Sequence, residues 1–183
     1  MNHADHVNLL QGGIAEPGGV WADLGSGSGA FTLALADLLG PETQIYSVDR
    51  NREALRQQAQ QMGRRFPAVT VHYLDADYTA PLDLPPLDGA VMANSLHFQR
   101  DKDPVLQLVG GYLRPGGRLI VVEYGTDRGN PWVPHPISYE TWEALAQRNG
   151  FARTVRLATR PSRFLGQIYS ALSLAPAHPP AGV

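Results

Sequence analysis

The chain has 183 residues with 17 acidic and 15 basic side chains, for a net charge of −2. That length supports one domain burying about 70% of its unfolded surface, and with no window rich in Lys or Arg the charge pattern disfavours nucleic acid as a partner. The absence of cysteine excludes disulfides, thiolate nucleophiles and Cys-type zinc sites, and no metal site is expected. In chain order, Met1–His6 lacks a basic, apolar leader pattern and nowhere do about 18 apolar residues run together, which predicts a cytoplasmic protein without a membrane span.

Val20–Leu24 reads as an apolar strand with Asp23 near its end, followed by the turn Gly25-Ser26-Gly27-Ser28-Gly29. Ala30–Leu39 then carries Phe31, Leu35, Leu38 and Leu39 at helical spacing, so the turn opens onto a helix N-terminus with free NH groups. After the Gly40-Pro41 stop, Gln44–Val48 is a second strand ending in Asp49. Asn51 caps a helix whose Leu55, Ala59, Met62 and Phe66 face inward and whose Arg and Gln residues are expected outward. Val69, Val71 and Tyr73 alternate as a third strand ending in Leu74-Asp75-Ala76-Asp77, and Leu87–Ala93 is a fourth running into Asn94-Ser95-Leu96-His97.

Pro104–Leu113 is helical by pattern, Arg114-Pro115-Gly116-Gly117 predicts a sharp turn, and Arg118–Glu123 a buried strand. Ser138 caps a last helix bearing Trp142 and Leu145 and stopped at Gly150. Arg153–Thr159 and Gln167–Leu174 are joined by too few residues for a helical crossover, so they are expected to pair as an antiparallel hairpin with Arg160 and Arg163 in its turn. Residues 1–174 form one domain, and 175–183, with three prolines, read as a disordered tail.

Strands alternating with helices demand right-handed crossovers, hence an α/β fold with a mostly parallel sheet, helices on both faces, and ligands outside the carboxyl ends of the strands. The glycine turn alone also satisfies a relaxed dinucleotide fingerprint through Gly25, Gly27 and Ala30. Asp23 argues against a diphosphate, since two like charges about 4 Å apart repel by roughly 4 kcal/mol at an effective dielectric of 20. A ligand with an ammonium and a sulfonium suits the acid better.

Four signals together resemble the class I S-adenosylmethionine-dependent methyltransferases over about residues 20–174. Asp23-Leu24-Gly25-Ser26-Gly27-Ser28-Gly29 is similar to the family's first motif; Asp49 stands where its ribose-binding acid ends strand two; Asp75-Ala76 resembles its adenine-contacting pair; Leu113-Arg114-Pro115-Gly116-Gly117 resembles the turn before strand five. The resemblance implies a Rossmann-like three-layer α/β/α sandwich, seven-stranded and mostly parallel with an antiparallel last strand. It also implies S-adenosylmethionine as cofactor, held by Asp23, Gly25, Ser26, Gly27, Gly29, Asp49, Arg50, Asp75, Ala76 and Asn94. In that reading Asp23 and the carbonyls near Gly25 and Asn94 hold the methionine ammonium, Asp49 accepts from the ribose hydroxyls, and the Ala76 NH faces an adenine ring nitrogen.

On the acceptor side, His97 is the candidate general base, because its ordinary pKa suits proton removal near neutral pH. Arg128, Trp132 and His135, in the long segment from Gly125 to Ser138, are candidates to contact a substrate as part of a lid. Only about nineteen residues precede Val20, so an acceptor pocket is expected to be open, or completed by that segment or by a second copy in a homodimer. Asn94-Ser95-Leu96-His97 lacks the Asn-Pro-Pro-aromatic pattern of relatives that methylate amides and amines, and resembles the ubiquinone-biosynthesis-like, small-molecule branch. The expected function is methyl transfer to a small molecule. A nicotinamide-dependent oxidoreductase, supported by the glycine spacing and Asp49, and a non-catalytic S-adenosylmethionine-binding module are the alternatives.

Overall fold

A computed structural model describes residues 1–177. A short helix α1 (His3–Leu10) begins at Asn2, whose side chain accepts from the Asp5 NH while Asp5 accepts from the Asn2 NH. The chain continues as β1 (Gly19–Leu24), α2 (Ala30–Leu39), β2 (Thr43–Asp49), α3 (Arg52–Arg65), β3 (Thr70–Asp75), β4 (Leu87–Ala93), α4 (Asp103–Tyr112), β5 (Leu113–Tyr124), α5 (Tyr139–Arg148), β6 (Arg153–Ser162) and β7 (Gly166–Leu174). No helix among the described residues is long and apolar enough to cross a membrane.

The seven strands form one sheet in the order β3-β2-β1-β4-β5-β7-β6, in which only β7 runs against its neighbours. Successive strand residues alternate between two apolar layers. Ala22, Leu24, Met92, Leu119 and Val121 pack on α4 and α5 with Trp142 and Leu145, whereas Trp21, Val91, Ile120 and Val122 pack on α1 and α2 with Leu9, Leu10 and Leu35. The expected three-layer α/β/α sandwich with its reversed last strand is therefore the observed fold.

Three local expectations are corrected. Arg114–Gly117 does not interrupt the strand: it lies inside β5 as an irregularity between the pairs Leu87 with Leu113 and Gly89 with Arg118. The Gly116 NH there donates to Pro176 O and the Gly117 carbonyl accepts from the Ala175 NH, so backbone pairing absorbs the turn chemistry. Arg160 is not in the hairpin turn, because β6 runs on to Ser162; its guanidinium reaches Asp5 at 2.7 Å and ties α1 to β6. Gln58 does not face outward. It falls between Leu55 and Met62 on the inward stripe of α3 and is 0% exposed. Of the expected tail, Ala175 and Pro176 are hydrogen-bonded as above, and residues 178–183 lie outside the described residues.

Candidate active site

Because β1 and β4 are adjacent and parallel, their carboxyl ends deliver Gly25–Gly29 and Asn94–Gln99 to one edge of the sheet, and β2 brings Asp49 beside them. They enclose a cavity of about 430 Å3 lined by Gly25, Gly27, Asp49, Arg50, Asn94 and Phe98 among others, within the size range of small-molecule sites. Asp77, Tyr78, Thr79, Ser95 and Gln99 complete the wall.

The glycine turn is shaped by the protein's own packing. Gly25 has φ +81° and a Cβ there would stand 2.6 Å from the Ser95 Cβ; Gly29 has φ +85° and a Cβ there would stand 2.2 Å from the Gln58 side chain. Gln58 Nε2 donates to Ser26 Oγ at 3.3 Å and to Gly27 O at 3.4 Å, and Ser47 Oγ donates to Ser26 Oγ at 2.7 Å. Ser26 and Gly29 therefore brace the turn from behind and do not line the cavity. Asp49 fixes its front: one carboxylate oxygen accepts from the Gly27 NH at 2.7 Å, the other from the Asn51 NH at 2.8 Å.

Asp23 lies behind the wall. Strand alternation turns its side chain toward α2, where it is 1% exposed and accepts from the Thr32 hydroxyl at 2.6 Å. Burial, aided by the nearby Asp49 charge and opposed by the Thr32 hydrogen bond, pushes its pKa up to about 7. The negative charge at the cavity is thus carried by Asp49 and Asp77, Asp77 being paired with Arg50, and the repulsion of a diphosphate argued from Asp23 transfers to Asp49. Since the folded protein holds the Asp23 proton to about pH 7 and the unfolded chain only to 3.8, folding stability falls as pH rises through that window. Asp23→Asn, with no proton to lose, should escape this: between about pH 5 and about pH 8 the wild type should lose ~2–3 kcal/mol relative to the variant in urea unfolding. Parallel stability profiles would refute the buried-acid account.

The remaining expected cofactor residues divide. Arg50 lines the cavity and pairs with Asp77 at 3.1 Å, largely in solvent. Asp75 does not line it, its carboxylate being paired with Arg52, and the Ala76 NH is spent on Asp49 O at 3.2 Å rather than turned to the cavity. Asn94 does line it, at φ +53°, with its side-chain oxygen buried and without a hydrogen-bond partner among the described residues. A buried acceptor left bare costs on the order of 1–3 kcal/mol, and since this oxygen is sealed from the cavity, Asn94 meets it through its other, half-exposed atoms. The acids Asp49 and Asp77 at the wall, with Arg50 held by Asp77, fit a cationic, ribose-bearing cofactor.

His97 sits just beyond β4 on the α4–α5 side of the sheet, 3% exposed. Glu123, 0% exposed at the end of β5, accepts from the His97 NH at 3.1 Å and meets Nδ1 at 2.8 Å, leaving Nε2 without a partner among the described residues. Sequence reasoning missed Glu123. The same rule that singled out Asp49, an acid closing an apolar strand at the carboxyl edge, would have found it.

The segment from Gly125 to Ser138 is fastened down. Lys102, the sole lysine and 8% exposed, donates to Gln99 O at 2.8 Å and His135 O at 3.0 Å, and the His135 NH donates to His97 O at 3.0 Å. Burial pulls the Lys102 pKa down, with Glu123 and Asp127 opposing. Its lone lysine is thus a cross-link clamping both chain segments around His97. His135 is held through its backbone, Arg128 is exposed, and Trp132 projects at 71% exposure.

A family model described as a methyltransferase domain matches residues 16–165. The chain is 32% identical over 116 residues to the O-methyltransferase cnsE of Penicillium expansum, covering 61% of this chain and 40% of that protein. It is 31% identical over 103 residues to the ubiquinone/menaquinone biosynthesis C-methyltransferase UbiE of Pasteurella multocida, covering 56% of this chain and 38% of that one. The chain thus spans about two fifths of the length of these relatives. In fold it is similar to a SAM-dependent methyltransferase from Aquifex aeolicus, with a TM-score of 0.73 and 17% identity over 93% of this chain and 89% of the other.

Proposed function

The chain belongs to the methyltransferase-domain family, and on that premise we propose that it moves a methyl group from S-adenosylmethionine to a small-molecule acceptor. The observation that carries the reading is the cavity where the Gly25–Gly27 backbone, the Asp49 carboxylate and Asn94 converge. When bound, S-adenosylmethionine would supply a methyl already activated on sulfur. Asp49 would hold the ribose hydroxyls while still gripping the Gly27 NH, and the carbonyls near Gly25 and Asn94 would take the ammonium.

His97 receives the acceptor's proton on Nε2. Glu123 orients the ring through Nδ1 and offsets the positive charge that the ring then carries. Placement supplies most of the rest, since alignment of two reactants contributes about 7–11 kcal/mol. Calorimetry tests the reading: S-adenosylhomocysteine should bind in the micromolar range and NAD should give no heat. The oxidoreductase alternative predicts the reverse order, and silence with millimolar S-adenosylhomocysteine would end the proposal.

A further inference from the structure

Lys102 closes a ring of hydrogen bonds around the backbone of His97. Its ammonium donates to Gln99 O at 2.8 Å and to His135 O at 3.0 Å, and between those carbonyls the His135 NH donates to His97 O at 3.0 Å. The two carbonyls belong to different segments, one after β4 and one after β5. Gln99 carries the connection on to the cofactor side: its side-chain amide donates to the Tyr78 hydroxyl at 3.3 Å, Tyr78 to Ser95 O at 2.7 Å, and the Ser95 hydroxyl to Leu24 O at 2.8 Å, next to the glycine turn.

An amine is a costly choice for this place. A buried ammonium gives up its hydration, and an apolar side chain of similar bulk would pack there more cheaply. Yet the chain, with 15 Lys and Arg residues, sets its one lysine here, 8% exposed. A compact ammonium can aim separate N–H bonds at two converging carbonyls, whereas an arginine presents a wide planar fork. Glu123, Asp127 and Asp101 are the acids whose charge acts on it, and Glu123 is also the carboxylate that accepts from His97 Nδ1. The ring and NH of His97 are thus held by Glu123 and its carbonyl by His135, while Lys102 keeps His135 in place.

We propose that Lys102 is a positioning residue for the general base: its ammonium, by tying Gln99 to His135, holds His97 where Nδ1 stays on Glu123 and Nε2 stays free to take a proton. Lys102 acts through His97 and touches neither cofactor nor acceptor. The inference rests on the methyl-transfer reading, in which His97 is the base, and adds the residue that holds it there.

The test uses the whole chain without ligand, its backbone and its histidine, lysine and tryptophan side chains labelled with 15N, and reads proton exchange with water by NMR. Six histidines and one lysine give few side-chain signals, and His97→Gln assigns that of His97. In the wild type the Lys102 ammonium protons, the His97 ring proton on Glu123 and the His135 amide proton should all be protected. Lys102→Met keeps much of the bulk without the charge, so the His97 and His135 protons should exchange at least about tenfold faster while the indole proton of the buried Trp142 keeps its rate. Lys102→Arg, whose fork cannot meet both carbonyls in the same way, should show a smaller acceleration confined to the same two protons, and it carries the test if the methionine variant does not fold. Affinity for S-adenosylhomocysteine, measured separately by calorimetry, should hold in both.

Wild-type rates at His97 and His135 in either folded variant, or a wild-type ammonium that exchanges as fast as free lysine, would overturn the proposal. Equal acceleration at Trp142 would overturn it in favour of a general stabilising role, and lost S-adenosylhomocysteine affinity in favour of a role in the cofactor wall through Gln99. Failure of the wild type to bind S-adenosylhomocysteine is the separate result that removes the methyl-transfer reading, and the base-holding role with it, whatever the exchange rates show.

Discussion

His97→Gln should lower turnover of a hydroxyl-bearing acceptor roughly a hundredfold to ten-thousandfold, the range for loss of a positioned general base, with S-adenosylhomocysteine affinity unchanged. Glutamine is the informative replacement. Glu123 is 0% exposed and its hydrogen-bond partners are the His97 ring and NH, so alanine would strand a buried carboxylate, which typically costs about 3–5 kcal/mol. A glutamine amide can still donate to Glu123 but cannot take a proton. Glu123→Gln should act through the same step: its amide oxygen can still accept from the His97 NH, while the charge that offsets a protonated ring is gone. Its kcat should fall with KM little changed, and the two substitutions together should cost scarcely more than His97→Gln alone, because they act as a unit. Formation of S-adenosylhomocysteine from S-adenosylmethionine in the presence of a hydroxyl-bearing acceptor, followed by mass spectrometry, measures all three. Full turnover by His97→Gln would remove the base from the mechanism.

What the sequence made legible follows from how local each determinant is. α2 is found at Ala30–Leu39 because a glycine at positive φ stands at each end, Gly29 at φ +85° and Gly40 at φ +75°, and such punctuation is written in the residues themselves. The reversed β7 was legible from the shortness of its connection to β6. Pairings of residues across the sheet were not. Glu123 and His97 are 26 positions apart and meet only because β4 and β5 are neighbours, a fact of strand order. Asp23 shows the intermediate case: alternation with Ala22 and Leu24 fixes the face it points to, but only the packing of α2 shows that Thr32 waits there and that the acid is sealed from the cavity. Gln58 was legible and passed over. Its place three residues after Leu55 and four before Met62 puts it on the buried stripe, and polarity alone suggested otherwise.

Asp49→Ala should weaken S-adenosylhomocysteine binding about a hundredfold or more, equivalent to about 2.7 kcal/mol. Two losses combine. The ribose hydroxyls lose a charged acceptor, worth about 1.5–3 kcal/mol per hydrogen bond, and the Gly27 and Asn51 NH groups lose the carboxylate that sets the turn and the start of α3. A structural effect alone would appear as lower stability with affinity largely kept in the folded variant, so unfolding and calorimetry are measured on the same sample. Asp49→Asn separates the two, since its side-chain oxygen can still accept from the Gly27 NH while its amide opposes the Asn51 NH and carries no charge to the ribose. Affinity for S-adenosylhomocysteine should fall with each variant, more with alanine. Unchanged affinity in both would take Asp49 out of the cofactor site, and with Asp23 sealed behind Thr32 it would leave Asp77 as the carboxylate facing the cavity.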